Sequence, residues 1–248
     1  MTDDPLLDRA QRLWVDLARA PVVFKDLSVD VAVSPRSLLC PAGWIGIVGL
    51  GNAVIAAVPD DDTAEIVQRA LGALPATAVT DPAVVSRRLP ATEVLGPATL
   101  AYCDVAGFRP AGSRAVQTIP AGDIEVGALL ARVPDEDVDE SGLAEITSPV
   151  FVLRAGLEVV AAAGYRRWPS SIAHVSVLTV PAERGRGCAR VVATAAVTHA
   201  LEVGLLPQWR ARPQASRRVA RALGFRELGW QLSMRLLPAG APEGVDDL

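Results

Sequence analysis

The stretch that most constrains this chain runs Val177-Leu178-Thr179-Val180-Pro181-Ala182-Glu183-Arg184-Gly185-Arg186-Gly187-Cys188-Ala189. An apolar run ends at a proline, arginines and two glycines follow, and an alanine- and valine-rich segment begins. The pattern predicts a strand, a glycine loop and a helix opening from that loop. Glycines let backbone N–H groups approach an anion closely, and a helix N-terminus adds about half a positive charge. Arg184, Arg186 and Arg190 bring full charges to the same place. The expected ligand carries phosphate.

Two common phosphate loops do not fit. A P-loop needs lysine and Ser/Thr after its last glycine, where this chain has Cys188 and Ala189. The dinucleotide fingerprint needs a small residue where Arg190 stands. The pattern that fits is Arg-x-x-Gly-x-Ala at Arg184, Gly187 and Ala189. It resembles the acyl-CoA pyrophosphate loop of the GNAT superfamily of N-acetyltransferases. A second match follows in order: a strand at Trp209-Arg210-Ala211, then a helix from Pro213 to Leu223 ending in Gly224-Phe225. The run from Ala215, through Ser216, to Phe225 looks like the GNAT segment that closes one side of the CoA site.

The resemblance implies an α/β fold with a mixed, mostly antiparallel sheet flanked by helices. At 248 residues the chain is long for one such domain. The expected division is therefore an N-terminal α+β extension over 1–112, a GNAT-like domain over 113–240 and an acidic tail over 241–248. Half of the residues are apolar, ample for a core, and no apolar run reaches the roughly 18 residues of a membrane span. Asp3, Asp4 and Asp8 make the N-terminus acidic, unlike a signal peptide. Cys40, Cys103 and Cys188 are odd in number and widely spaced, which suits reduced thiols in a cytoplasm and argues against a disulfide framework or a metal site.

Charge is unevenly spread. Residues 169–240 carry ten arginines against Glu183, Glu202 and Glu227, in a chain of net charge −4. A basic face could bind nucleic acid, but these arginines cluster around the proposed phosphate loop with few aromatics between them, so that is the weaker reading.

Ahead of the expected domain, Asp3 to Ala20 has helical apolar spacing and Val22 to Val33 leans to strand. Trp44 to Val48 and Ala53 to Val58 flank Gly49-Leu50-Gly51-Asn52, which reads as a hairpin turn. Asp60-Asp61-Asp62-Thr63 caps a helix to about Leu74, which explains the carboxylates without a metal. A short helix is expected near Asp81 to Arg87, and Ala98 to Cys103 fits helix or strand. Beyond Ser113 the expected order is a strand at Ala115 to Ile119, helices at Asp123 to Arg132 and Asp135 to Ile146, and a hairpin of Val150 to Leu153 with Leu157 to Tyr165. The central strand Ile172 to Val180, a helix over Gly185 to Val203, a strand at Leu206 to Ala211, and one or two strands over Phe225 to Leu237 complete it.

Moving an acetyl group from a thioester to an amine needs a held cofactor, a polarised carbonyl and a proton acceptor. By resemblance, Leu178, Thr179 and Val180 would hydrogen-bond pantetheine, with the Leu178 N–H near the thioester oxygen. Loop amides over Arg184, Gly185, Arg186, Gly187, Cys188 and Ala189 would take the pyrophosphate, and Ser216 would line the far side. Acetyl-CoA is the implied co-substrate, no metal is implied, and the acceptor is a small-molecule or peptide amine. A homodimer is compatible, and no membrane is implied.

The chain has two histidines. His174 lies six residues before Val180, where several GNAT enzymes carry a proton-accepting Glu or His, and Ser176 shares its face of the strand. A hydrogen-bonded structural histidine is the equal alternative at 174, and a structural role is favoured for His199. Cys188 follows the loop and is expected to pack beneath the helix. Pro213 stands where many relatives have asparagine, and Ala220 where many have the tyrosine that protonates the departing thiolate. These departures keep open a second reading, a non-catalytic acyl-CoA-binding or regulatory module.

Overall fold

A computed structural model describes residues 4–75, 78–112 and 114–236. The proposed acidic tail, 241–248, lies outside the described residues. Two compact units divide the chain, and each has its own hydrophobic cluster.

The first unit takes the described residues through Leu13 together with Thr99–Leu228. Its strands are the end of β4 (Ala91–Tyr102), β5 (Gln117–Ile119), β6 (Val150–Ala155), β7 (Glu158–Trp168), β8 (Ile172–Thr179) and β9 (Leu206–Ala211), in the spatial order β4-β9-β8-β7-β6-β5. All neighbours are antiparallel except β8 and β9, which are parallel. Parallel neighbours need a crossover, and helix α6 (Cys188–Glu202) supplies it.

Strand alternation sorts the faces. Val175 and Val177 pack with Ala193 and Val197 of α6, along with Ala220 of α7 (Gln214–Ala222). The other face carries α4 (Ile124–Leu130) and α5 (Asp135–Ser141), whose neighbours include Val126, Leu129 and Leu143 in the main cluster. Helices thus flank a mixed, mostly antiparallel sheet, as expected.

The second unit holds Trp14–Ala98 and the described residues from Gly229. Here β1 (Val29–Val33), β3 (Ala53–Val58), β2 (Ile45–Leu50) and β10 (Arg226–Leu236) lie side by side, with β1 and β3 parallel and the others antiparallel. Every residue of β2 and β3 is buried. Ile45, Ile47, Val54 and Ala56 meet Val67 and Leu71 of α2 (Asp61–Gly72) and Val85 of α3 (Pro82–Arg88). Asp60 caps α2 by accepting from the Thr63 N–H at 2.8 Å. Gly49 is dictated by packing, since a Cβ there would sit 2.6 Å from the Trp230 ring.

Several expected boundaries move. The compact units do not part at 112/113. Thr99 to Tyr102 pair with β9, the Cys103 N–H donates to the Pro207 carbonyl, and the Arg109 N–H donates to the Leu223 carbonyl, so 99–109 builds the first unit. From Gly229 onward β10 pairs with β2, which places the chain's last described strand in the second unit. The helix expected from Asp135 to Ile146 stops at Ser141, because Gly142 turns left-handed at φ 61° and a 3-10 turn, Leu143–Glu145, follows. The ambiguous segment at Ala98 to Cys103 is strand as far as Tyr102. α1 (Pro5–Ala18) begins two residues inside the expected start, and Asp4 accepts from the Leu6 and Leu7 N–H groups at its head.

Candidate functional site

β8 is bonded on both sides for only part of its length. Against β7 its register runs unbroken from Trp168–Ile172 to Ala161–Thr179. Against β9 it has three rungs, Ile172–Leu206, Ala173–Pro207 and His174–Gln208. Beyond that rung β9 pairs with β4, so among the described residues no strand adjoins β8 on that side from 175 to 179.

Hydrogen-bond parity decides which amides face that side. The Val180 N–H donates to the Val160 carbonyl, and the Leu206 N–H donates to the Ser171 carbonyl. Alternate residues of an antiparallel pair exchange their bonds, so Leu178 points its backbone at Ala162, while Val177 and Thr179 point theirs toward the β9 side. This corrects the sequence expectation for the amides of Leu178 and Val180. Both side chains are buried in the main cluster.

At the end of β8 comes a 3-10 turn, Pro181–Glu183, and then the glycine loop. Gly185 and Gly187 take φ of 76° and 79°, a left-handed backbone that glycine adopts without strain. Gly187 is the N-cap of α6, and among the described residues no side chain caps it and nothing lies within 4 Å of where its Cβ would be. The first amides of α6 therefore face outward without intrahelical acceptors. The Arg184 N–H is not among them, since it donates to the Pro181 carbonyl, so the available loop amides begin at Gly185. Cys188 is buried and Ala189 half-buried.

The arginines are less idle than the sequence suggests. Arg184 donates to the Thr179 carbonyl at 3.2 Å and pairs with Asp137 of α5 at 2.8 Å. Arg186 pairs with Glu183, and Arg212, just past β9, pairs with Glu140 of α5. The acidic helix thus holds arginines at the ends of both diverging strands. Arg217 and Arg221 share Glu227. Ser216, expected to line the site, accepts from the Trp209 Nε1–H at 2.9 Å.

His174 and Ser176 do share a face, but differ in setting. Ser176 is buried under Gly142. His174 is half-buried, with its ring stacked on Trp168 at 4.3 Å between centroids and 12° between planes. Its Nδ1 lies 2.6 Å from Oε1 of Gln208. Burial, reinforced by the Arg210 charge, pulls its pKa down to about 4, against a smaller opposing pull from the Gln208 hydrogen bond. An ordinary imidazole value near 6.5 is therefore not kept.

His199, by contrast, sits inside α6 with Nδ1 3.0 Å from the Tyr165 hydroxyl and Phe151 beside it. Sequence reasoning missed Gln208 and Trp168. Gln208 had no signal of its own, since its meeting with His174 depends on the β8–β9 register. A shallow depression of about 520 Å³ opens over Thr118 to Ala121 and Thr147 to Pro149. There Thr147 accepts from the Arg167 N–H, and Ser148 is bonded to the Tyr165 N–H and the Pro149 carbonyl.

A model of the GNAT acetyltransferase family matches residues 150–229. That span runs from β6 through the glycine loop to the start of β10. Over these residues the chain is similar to GNAT acetyltransferases. No curated protein matches the chain. Among solved structures it is similar to a GNAT-family protein from Novosphingobium aromaticivorans, at 19% identity and TM-score 0.47, over 58% of this chain and 65% of that one. A GCN5-related N-acetyltransferase from Kribbella flavida matches at 17% identity and TM-score 0.46, over 64% and 63%. The yncA protein of Salmonella typhimurium, described with its cofactor acetyl-CoA, matches at 20% identity and TM-score 0.35, over 54% of this chain and 99% of that one. The chain thus spans just under two thirds of the first two.

Proposed function

We propose that this chain is an acetyl-CoA-dependent N-acetyltransferase that acts by direct transfer to a small-molecule or peptide amine. One observation carries the reading. The pairing of β8 with β9 ends at His174–Gln208, and the unpaired edge that follows leads straight into a glycine loop at a helix N-terminus. An extended pantetheine could bond to the backbone of Val177 and Thr179 as a further strand would. The pyrophosphate would then lie on the amides from Gly185 to Ala189. Bound acetyl-CoA supplies the activated acyl group.

The chain's own groups then bind, orient and take a proton. As the amine attacks, the new C–N bond forms, the C–S bond breaks, and the sulfur leaves as thiolate. The ammonium proton passes, directly or through water, to neutral His174. At a pKa of about 4 that imidazole is uncharged throughout the neutral range, though a weak base. The phosphate charges of a bound cofactor would favour its cation and so raise that value. Ser176 is a hydroxyl on the same face, buried beside Gly142.

A second reading is favoured by two specific residues. Pro213 caps α7 with no side-chain hydrogen bond, and Ala220 is buried in an apolar cluster, so neither offers a proton donor for the thiolate. These suit a module that binds acyl-CoA without turnover. The second unit is proposed to supply a homodimer contact, and the protein to work in the cytoplasm.

Calorimetry with acetyl-CoA, followed by thiol release across an amine panel, tests both readings. Binding with release supports the enzyme. Binding without release across the panel supports the module. A folded protein that ignores acetyl-CoA but retains an oligonucleotide sinks both.

A further inference from the structure

We propose that Gln208 is a positioning residue for His174: its Oε1 accepts the Nδ1 proton and leaves Nε2 as the basic nitrogen of the ring. The inference rests on the reading of His174 as proton acceptor. Its ground is geometric. The two side chains meet at 2.6 Å on the last rung shared by β8 and β9, where the strands begin to part. Trp168 stacks flat on the imidazole, so the ring plane is held from one side while Gln208 holds its edge.

Gln208 is fully buried, and its Nε2 has no hydrogen-bond partner among the described residues. A buried amide with unmet donors costs stability, and an apolar side chain of the same size would avoid that cost. What the amide contributes in return is the bond to the imidazole. Chemistry explains why an amide suits the place better than a carboxylate. A carboxylate at Nδ1 would favour imidazolium, which cannot accept a proton, whereas an amide oxygen fixes the tautomer without adding charge.

The surroundings push the same way. The charged groups on elements around the ring are Arg166 on β7, Arg210 on β9 and Arg212 just beyond it, Glu140 on α5 and Glu145 in the 3-10 turn. Arg166 pairs with Glu145 and Arg212 with Glu140, while Arg166 and Arg210 both disfavour the imidazolium. Arg190 and His199 of α6 lie on the opposite face of the sheet, the face of Tyr165 and Val175.

The test is ¹⁵N NMR of the full chain labelled at histidine, which has only two such residues. At pH 7 the His174 signals should show the neutral tautomer protonated at Nδ1. Gln208→Leu should shift that population toward the Nε2-protonated tautomer. It should also lower turnover by about tenfold or more, with acetyl-CoA affinity unchanged. Gln208→Glu, close to isosteric, should raise the His174 titration and the acid limb of the pH–rate profile together by about one to three units. An Nε2-protonated tautomer in the wild type overturns the inference, and this reading needs no variant to fold. A titration unmoved in folded Gln208→Glu overturns it as well. Loss of the proton-acceptor reading shows elsewhere, as an unchanged rate in His174→Gln, and leaves the tautomer measurement unaffected.

Discussion

Two glutamines are buried in strands of this molecule, and they are used in opposite ways. Gln231, on β10 of the second unit, donates its amide to the Leu39 carbonyl at 2.5 Å and ties the irregular segment before β2 to the sheet. Gln208, on β9 of the first unit, places its oxygen on a titratable ring and leaves its amide nitrogen without a described partner. The first satisfies a backbone group, which is what architecture requires of a buried amide. The second accepts an energetic loss at a point where the sheet opens. Burial and residue type are the same, so the partner alone separates structure from chemistry.

The largest effect that would break this contrast belongs to His174. His174→Gln is expected to lower turnover by about one to three decades with little change in acetyl-CoA affinity, measured by steady-state thiol release and calorimetry. It should also flatten the acid limb of the profile. A variant that keeps both rate and profile would make Gln208 as structural as Gln231. The same group has a stability signature. Its folded-state pKa lies below the unfolded value, so the native protein binds fewer protons between about 4 and 6.5. Stability should therefore fall as pH drops through that window, and His174→Gln should fall less, as read by thermal midpoints.

Gln231→Leu comes next. It leaves the buried Leu39 carbonyl without its donor and should cost about 1–3 kcal/mol in denaturant unfolding. The pH–rate profile of the folded fraction should not move. A shifted profile would show that the second glutamine also reaches the chemistry.

A smaller change sharpens the comparison from the cofactor side. Gly187→Asn keeps a residue that tolerates the left-handed backbone but fills the open space beside the α6 N-terminus. Acetyl-CoA should bind about tenfold more weakly, roughly 1.4 kcal/mol, with the unfolding midpoint nearly unchanged. Unaltered affinity in calorimetry would remove the loop from the site.

The smallest effect is expected at Glu227, shared by Arg217 and Arg221 at partly exposed positions. Glu227→Gln should cost no more than about 1 kcal/mol. Hydrogen bonds from Arg217 hold this carboxyl below its usual range, so the contribution is present above pH about 4.5 and fades as pH falls below it. A large loss at neutral pH would mean that the surface arginines carry more than solvation.

Much of the first unit was legible because local chemistry writes it. Proline ends β8, Gly185 and Gly187 mark the left-handed loop, and the alternation from Ile172 to Val180 marks a strand. In the second unit, Asp60 announced α2 as its cap. Other features were not legible for equally physical reasons. Gly142 ends α5 within a run that otherwise reads as continuous helix. The amide parity of β8 follows from its register with β7, and a shift of that register by one residue would leave no mark on composition. The division of the chain was misplaced because β4 and β10 take partners far away in sequence.

The sequence by itself therefore determined the glycine loop at the α6 N-terminus, the order of elements around it and the presence of a histidine on the central strand. Each depends on residues close together along the chain. Tertiary structure alone decided that β9 parts from β8 after His174, that Val177 and Thr179 face the open edge, and that Gln208 meets the imidazole. The first and last come from pairing between β8 and β9, more than thirty residues apart, and the second from the register of β8 on β7; in each, loop closure and core packing, and no local preference, choose the register.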